Sequence, residues 1–184
     1  MGTYRYLKST SDIEQRIVQA KTSFNKKKTV FCSNNIDIEV RKRLVKSLVW
    51  SVALYGSETW TVSKADRKKL EAFEMWCWRR MKKVKWTDRV SNERVLGMVN
   101  ERRQLWNTLT ERRHKCIGHI YRHNNFVVNI IEGQREGQQG RGRPRMSYIK
   151  QIMEHAKVSR YSELKRVMND RDVWRTRTAN QSSD

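Results

Sequence analysis

The sequence predicts a mostly α-helical fold, and three observations favour it. The chain has 184 residues but a single Pro and eight Gly, whereas average usage would give about nine Pro. Apolar residues recur at helical spacing in several blocks. Residues that cap helix N-termini stand immediately before some of these blocks. Together these features favour long helices over many short strands.

The first predicted helix begins near Ser11, which forms a capping-box pattern with Glu14. A single apolar stripe follows, made of Ile13, Ile17, Ala20 and Phe24. Three lysines at residues 26–28 end the helix, where cations suit the exposed carbonyl groups. We expect the apolar stripe to pack in the core.

A second helix is predicted over about residues 37–54. Its second half is apolar on several sides, which predicts deep burial. A turn at residues 55–60 interrupts the pattern, and Ser63 with Asp66 then forms another capping box. The third helix, predicted to run to about Trp86, has an apolar arc on one side and basic side chains on the other.

The rest of the chain is predicted to contain helices on both sides of a Gly-rich stretch. One helix covers about residues 101–122, with Leu105, Leu109 and residues 116–120 facing inward. Residues 133–144 contain four Gly and end with the one Pro, so we expect a linker or an extended arm there. A last helical region carries two short apolar stripes. They consist of Ile149, Ile152, Met153 and Ala156, and of Leu164, Val167, Met168 and Trp174.

The charge balance indicates an anionic polymer as partner. Lys and Arg number 40 and Asp and Glu 19, a formal net charge of +21, and such a surplus attracts polyanions. No apolar run reaches the ~18 residues of a membrane span, and residues 1–5 do not resemble a signal peptide. Cys32, Cys77 and Cys116 form no CxxC pair, which indicates free thiols in a reducing, nuclear or cytoplasmic compartment. We therefore expect a nucleic-acid partner, no membrane and no secretion.

The strongest cationic segment lies along the third helix and just beyond it. Six basic residues and one acid occur from Trp78 to Arg89. The candidate phosphate contacts are Lys68, Arg79, Arg80, Lys82 and Lys83. Trp78 and Trp86 are candidates for base stacking, but we expect both tryptophans to serve the core.

A second basic candidate lies in the Gly-rich stretch. Residues 141–145 read Arg-Gly-Arg-Pro-Arg, and a Gly flanked by two Arg can lie along a narrow minor groove, as in the core of an AT-hook. The other interpretation, which we favour, is a solvated basic linker that touches phosphates without reading sequence. In either case Arg141, Arg143 and Arg145 are candidate nucleic-acid contacts.

No catalytic or metal site is predicted. Cys116, His119 and His123 share one side of a helix, with His114 nearby, but a single helix rarely presents three zinc ligands in tetrahedral geometry. We expect these side chains to make ordinary packing and polar contacts. Acidic residues are scattered and no Tyr-x-Asp-Asp occurs, whereas polymerase chemistry needs closely set carboxylates that hold two metal ions. No cofactor motif is present.

Seven short stretches in order resemble the C-terminal part of the reverse transcriptase of non-LTR, LINE-like retrotransposons, the insect-like endonuclease–reverse transcriptase type. The most recognisable is LYGSETW at residues 54–60. The others lie at residues 6–24, 70–80, 86–93, 118–123, 130–145 and 170–175. The resemblance extends over about residues 4–177 of this sequence.

The resemblance implies a thumb-like helical bundle, a part of the enzyme that holds the template–primer and transfers no phosphoryl group. With it, residues 1–62 are expected to be the end of the palm and thumb-like helices. The sequence pattern itself then divides the rest into a basic helical region at 63–132, a Gly/Arg-rich arm at 133–145, a small C-terminal helical segment at 146–178 and a disordered tail at 179–184. The palm carboxylates are missing from the sequence. We therefore expect a non-catalytic fragment of a longer polyprotein or of a truncated, decaying copy.

Two alternatives remain open. One is a stand-alone minor-groove DNA binder that uses Arg141 and Arg143. The other is a decayed open reading frame with no function. In that case the apolar helix surface around residues 44–54, which in the parent enzyme would pack partly on the palm, is expected to favour self-association.

Overall fold

A computed structural model of the chain describes residues 9–132 and 148–179, and all regular secondary structure in those two ranges is helical. The predicted mostly α fold is therefore confirmed. The helices are α1 (Ser9–Lys26), α2 (Lys28–Phe31), α3 (Ile38–Val45), α4 (Ser51–Ala53), α5 (Lys64–Met81), α6 (Asn92–Val99), α7 (Leu105–His123), α8 (Asn125–Glu132), α9 (Tyr148–His155), α10 (Tyr161–Asn169) and α11 (Arg171–Ala179). A π-helical turn (Lys46–Trp50) joins α3 to α4, and 3₁₀ turns occupy Ser57–Thr59 and Trp86–Asp88.

The chain divides into two compact units. The first comprises Met1–Gly56 and Val62–Trp106, and the second comprises Ser57–Thr61 and Asn107–Asp184. Helix α5 therefore belongs to the first unit, and α7 runs from the end of the first into the second. The predicted grouping of residues 63–132 into one basic region stays a prediction.

The core of the first unit forms where α1 packs against α4, α5 and the π-helical turn. The predicted stripe on α1 is buried, as expected. Asp37 caps α3 by accepting a hydrogen bond from the backbone N–H of Glu39 at 2.8 Å. Residues 45–54 bury most of their apolar side chains, which confirms the predicted deep burial, although Leu48 remains 38% exposed. The buried residues there are Val45, Val49, Trp50, Ala53 and Leu54.

Helix α5 starts with the predicted capping box. Ser63 Oγ accepts from the backbone N–H of Asp66 at 3.1 Å, and Asp66 Oδ2 accepts from the backbone N–H of Ser63 at 3.3 Å. The predicted end near Trp86 is wrong, because the helix stops at Met81. It is closed by Lys83, whose backbone is left-handed with φ of 58°. The N–H of the following residue, Val84, then bonds back to the carbonyl of Arg79 at 2.9 Å, a Schellman motif.

Helix α7 is capped from a distance by a buried carboxylate. Glu74 of α5 is 1% exposed, and its Oε1 accepts from the backbone N–H of Gln104 at 2.8 Å and of Leu105 at 3.3 Å. These are N–H groups that a helix N-terminus leaves without intrahelical partners. Burial raises the pKa of the Glu74 carboxyl. The predicted start at residue 101 is therefore too early, and α6 was not predicted at all.

The core of the second unit is built by α7 together with α8, α9, α10 and α11. The two predicted stripes meet here, with Ile152, Leu164 and Met168 fully buried, so both are confirmed as core. Helix α7 and Trp174 approach closely at Gly118, where an added Cβ would lie 2.5 Å from Trp174 Nε1. That indole nitrogen donates to the carbonyl of His114 at 2.8 Å.

A buried polar cluster lies on α7 beside this core. Arg113 is fully buried, its Nη2 donates to Gln151 Oε1 at 3.1 Å, and its guanidinium lies 5.0 Å from the centroid of the Tyr148 ring. The His114 ring is 1% exposed and lies 5.7 Å from the ring of His155. Burial, together with the nearby His155 and Arg113, lowers the pKa of His114 to about 3. His114 is therefore neutral at physiological pH.

Part of the prediction lies outside the described residues. The arm at 133–145, with Arg141, Arg143 and Arg145, is in the range 133–147, and most of the tail at 179–184 follows the last described residue. Within the two described ranges, no helix combines the length and apolar character needed to cross a bilayer.

Candidate nucleic-acid interface

A basic groove of about 1390 Å³ opens on the first unit. It is lined by one side of α5, by the loop between α5 and α6, by Lys28 of α2 and by Arg103. Eight of its lining residues are Lys or Arg and one is acidic, Glu71. We call this feature the basic groove.

Four of the candidates predicted from the sequence meet in the basic groove: Lys68, Arg79, Arg80 and Lys83. Lys68 and Arg79 fall on one line of α5 with Ala72 and Met75, because spacings of four and three residues return to the same side of a helix. Lys82 is the C-cap residue of α5 and is not among the groove-lining residues. Contact of any of these side chains with nucleic acid stays a prediction.

Four further basic residues of the groove were not among the predicted candidates: Lys28, Lys85, Arg89 and Arg103. Lys85 and Arg89 belong to the basic run after α5, so the composition of that run was a usable signal. Lys28 and Arg103 are distant in the sequence and reach the groove only through the packing of the first unit. No local pattern could have assigned them.

The single acid of the groove is already neutralised. Glu71 pairs with Arg67 at 2.8 Å, and its second oxygen lies 3.8 Å from Arg103. Across the described residues, no carboxylate lies within ion-pair distance of Lys68, Lys83, Lys85 or Arg89. The groove therefore presents a surplus of positive charge that its own side chains do not balance.

Arg79 has a structural task in this groove. Its Nη2 donates to the carbonyl of Val90 at 2.7 Å and to Asn92 Oδ1 at 2.9 Å. The guanidinium therefore ties the end of the loop after α5 back to the helix itself. Arg79 positions the wall of the groove, whatever else it contacts.

The loop after α5 has a fixed backbone at its tip. Asp88 Oδ2 accepts from the backbone N–H of Lys85 at 2.7 Å, and the N–H of Asp88 bonds to the carbonyl of Lys85 at 3.2 Å. Arg89, at φ of 47°, then turns the chain in the left-handed region. These bonds close a short turn around Trp86, which is 95% exposed.

The two tryptophans considered for stacking have opposite environments. Trp78 is fully buried, with its ring centroid 5.7 Å from that of Trp50, so its predicted core role is confirmed. The same prediction for Trp86 is wrong, because α5 ends before this residue and the loop carries it away from the core. Sequence reasoning placed Trp86 at the end of a helix, where it would have had neighbours.

A third tryptophan, Trp76, lines the groove beneath its cations. Its ring lies 5.2 Å from that of Phe24, and the guanidinium of Arg80 lies 5.5 Å from its centroid. Lys21 Nζ also lies 5.5 Å from this ring. An aromatic face attracts cations electrostatically, so Trp76 helps to hold Arg80 at the groove.

On α7, His114 is buried and Cys116 is partly buried, whereas His119 and His123 are exposed. The expected inward position of residues 116–120 is therefore wrong for His119. The rings of His119 and His123 lie 4.8 Å apart. Within residues 9–132 and 148–179, no group of three or more His, Cys, Asp or Glu side chains is arranged to hold a metal ion.

Comparison with known proteins gave no match. No protein-family model, curated protein or solved structure matches this chain.

Proposed function

We propose that this chain binds nucleic acid through the basic groove, by phosphate contacts that are largely independent of sequence. The observation that supports the proposal is the convergence of eight cationic side chains and one neutralised acid in one concavity. Lys and Arg supply most of the affinity of such interfaces because they displace counterions from the phosphate backbone. Phosphate contacts position a nucleic acid without reading its bases.

The size and lining of the groove favour a polymer over a small molecule. Small-molecule pockets are about 300–1,000 Å³ and carry few charged groups, whereas this groove has about 1390 Å³ and eight Lys or Arg side chains among its lining residues. A net charge of +21 on the whole chain adds long-range attraction to any polyanion. The three cysteines are free thiols, which suits the reducing compartments where nucleic acid is found.

The salt dependence of binding tests the proposal. If about six Lys or Arg side chains engage phosphates, the slope of log K against log salt is near −5 for duplex DNA and near −4 for a single strand. Fluorescence anisotropy of labelled oligonucleotides between 50 and 200 mM salt measures this slope. For a duplex site of this size, the affinity should fall by about 10³-fold over that range. A flat salt response would remove the proposal.

Two lysines of α5 provide a matched comparison. Lys68 lines the basic groove, whereas Lys64, one turn earlier on the same helix, is exposed and does not. We expect Lys68→Ala to weaken binding and to reduce the magnitude of the salt slope by about 0.9, the share of one phosphate contact. Lys64→Ala should leave the slope unchanged. Equal effects of the two variants would show that binding depends on net charge and not on the groove.

The sequence resemblance also implies where the chain originates and that it has no polymerase activity of its own. We infer that the chain is a non-catalytic thumb and downstream fragment of a LINE-like reverse transcriptase, which in its parent enzyme holds the template–primer. Primer extension by this chain with Mg²⁺ or Mn²⁺ should not exceed a control without protein. Extension above that control would contradict the inference.

The minor-groove alternative makes a different prediction. A reader of the AT-hook kind prefers A·T-rich duplex and loses that preference when Arg141 and Arg143 are both replaced by Ala. A backbone-binding fragment shows only mild weakening that is equal for all sequences. Binding of the double variant to A·T-rich and G·C-rich duplexes of equal length separates the two.

A further inference from the structure

We propose that Trp86 is a stacking platform for an unpaired base, so that the basic groove takes single-stranded nucleic acid with one base seated on this indole. The inference rests on the proposed function of the groove. It goes beyond that function by naming both the form of the ligand and the residue that selects it.

The exposure of Trp86 is the first observation. Trp buries most of its surface in folded proteins because its large apolar area is costly to leave in water. Trp50, Trp60 and Trp174 follow this rule at 3% exposure each, and Trp78 is fully buried. Trp86 is 95% exposed. Single exposed apolar residues are common on protein surfaces, so exposure alone does not mark Trp86 as a binding residue.

The place of Trp86 in the basic groove is the second observation. Trp86 lines the basic groove beside Lys83, Lys85 and Arg89, three cations for which the described part of the chain provides no carboxylate partner. A cationic track with an aromatic face within it is the combination that single-strand binders use, since phosphates follow the charges and bases stack on the ring. In an intact duplex the bases are paired and stacked on each other, and their faces are not available.

The support of the turn is the third observation. The tip is closed by the bond from the Lys85 N–H to Asp88 at 2.7 Å, and Arg79 ties the end of the loop to α5 through Val90 and Asn92. The backbone that carries Trp86 is therefore fixed before any ligand arrives. Stacking then has to order only the side-chain torsions of Trp86 and not the loop, which limits the conformational entropy lost on binding.

The test compares two strands of equal charge. A 12-nucleotide oligothymidylate and a 12-nucleotide abasic strand carry the same phosphates, but only the first carries bases. We expect Trp86→Ala to weaken binding of oligothymidylate by about 5- to 150-fold, the effect of removing one base–aromatic stack, and to leave the abasic strand within about twofold. Trp86→Phe should retain most of the affinity, whereas Trp86→Leu should behave like Trp86→Ala.

A spectroscopic measurement adds a direct readout. The emission of Trp86 is obtained as the difference between wild type and Trp86→Phe. Stacking on a base should quench this difference spectrum when oligothymidylate is added and leave it unchanged with the abasic strand. Because the side chain is almost wholly exposed, none of these replacements removes core packing.

The outcomes separate the inference from the function on which it rests. Wild type that binds both strands with a steep salt slope, with Trp86→Ala changing neither, overturns the stacking inference and leaves phosphate binding by the groove intact. Equal weakening of both strands by Trp86→Ala also overturns it, because the abasic strand offers nothing to stack. Wild type that binds a 12-base-pair duplex but neither strand overturns the inference alone, and wild type that binds neither the strands nor the duplex at low salt overturns the proposed function and the inference together.

Discussion

Acidification should destabilise the second unit through His114. Burial holds the folded-state pKa of His114 at about 3, whereas a histidine in an unfolded chain titrates near 6.5. Above about pH 6.5 the ring is neutral in both states. Below that pH the unfolded chain takes up a proton that the folded chain does not accept until about pH 3. Stability is therefore fully present above pH 6.5 and falls as the pH decreases toward 3.

The magnitude follows from these two values. Between pH 7 and pH 5 the unfolded state gains about 2 kcal/mol from protonation of this one residue, at 1.36 kcal/mol for each pH unit below the unfolded-state pKa. The result is insensitive to the folded-state pKa as long as that value lies well below 5. Arg113 and His155 are the charged or titratable groups that act against protonation of His114.

Urea unfolding at pH 7 and pH 5 measures the effect, with His114→Gln and His119→Gln as a matched pair. Wild type and His119→Gln, whose replaced ring is exposed, should lose about 2 kcal/mol more on acidification than His114→Gln. An NMR titration of the histidine Hε1 resonances should show that the His114 signal stays unshifted to below pH 5. Titration of that signal near pH 6.5, or equal acid sensitivity of all three proteins, would refute the reasoning.

Four other substitutions test the local structure, each by urea or thermal unfolding. Lys83→Gly and Lys157→Gly should each stabilise the fold by about 1 kcal/mol. Both lysines are in the left-handed region, at φ of 58° and 52°, where Gly has no Cβ penalty. An unchanged free energy of unfolding would contradict that backbone assignment. Gly118→Ala should cost roughly 1–3 kcal/mol, since its Cβ would lie 2.5 Å from the Trp174 indole, and an unchanged Tm would show that the helices separate freely. Glu74→Gln should keep the cap on α7 while removing a carboxyl whose pKa is raised by burial. The stability from that carboxyl is fully present below about pH 4.5 and is lost as the pH rises through its folded-state pKa. Glu74→Gln should therefore become more stable relative to wild type as the pH rises. A stability difference that does not change with pH would contradict this.

The parts of the fold that the sequence predicted are those in which neighbours along the chain decide the outcome. The stripe from Ile13 to Phe24 and the capping box of Ser63 with Asp66 follow from spacing alone, because a helix returns to the same side every three to four residues. Four of the basic groove residues were among the predicted phosphate contacts because they are the basic side chains of one helix and of the turn that ends it.

The parts that the sequence did not predict depend on the rest of the molecule. Helix α5 ends at a left-handed Lys83, and a lysine gives no signal of the kind that a Gly gives at a helix end. That missed end also misplaced Trp86. Lys28 and Arg103 reach the basic groove by packing, and Glu74 caps a helix that lies 31 residues further along the chain. None of these relations has a periodic signature.

The dual position of Arg79 has a consequence for reading mutational scans of the basic groove. Truncating it to alanine deletes one cation and also releases the carbonyl of Val90 and the amide oxygen of Asn92, so the segment that displays Trp86 is left without its tether. A scan would then score Arg79 among the strongest phosphate contacts even if its guanidinium never met a phosphate. Arg79→Lys separates the contribution of the charge from that of the tether. It preserves the positive charge but removes the planar guanidinium that donates to both the Val90 carbonyl and Asn92 Oδ1.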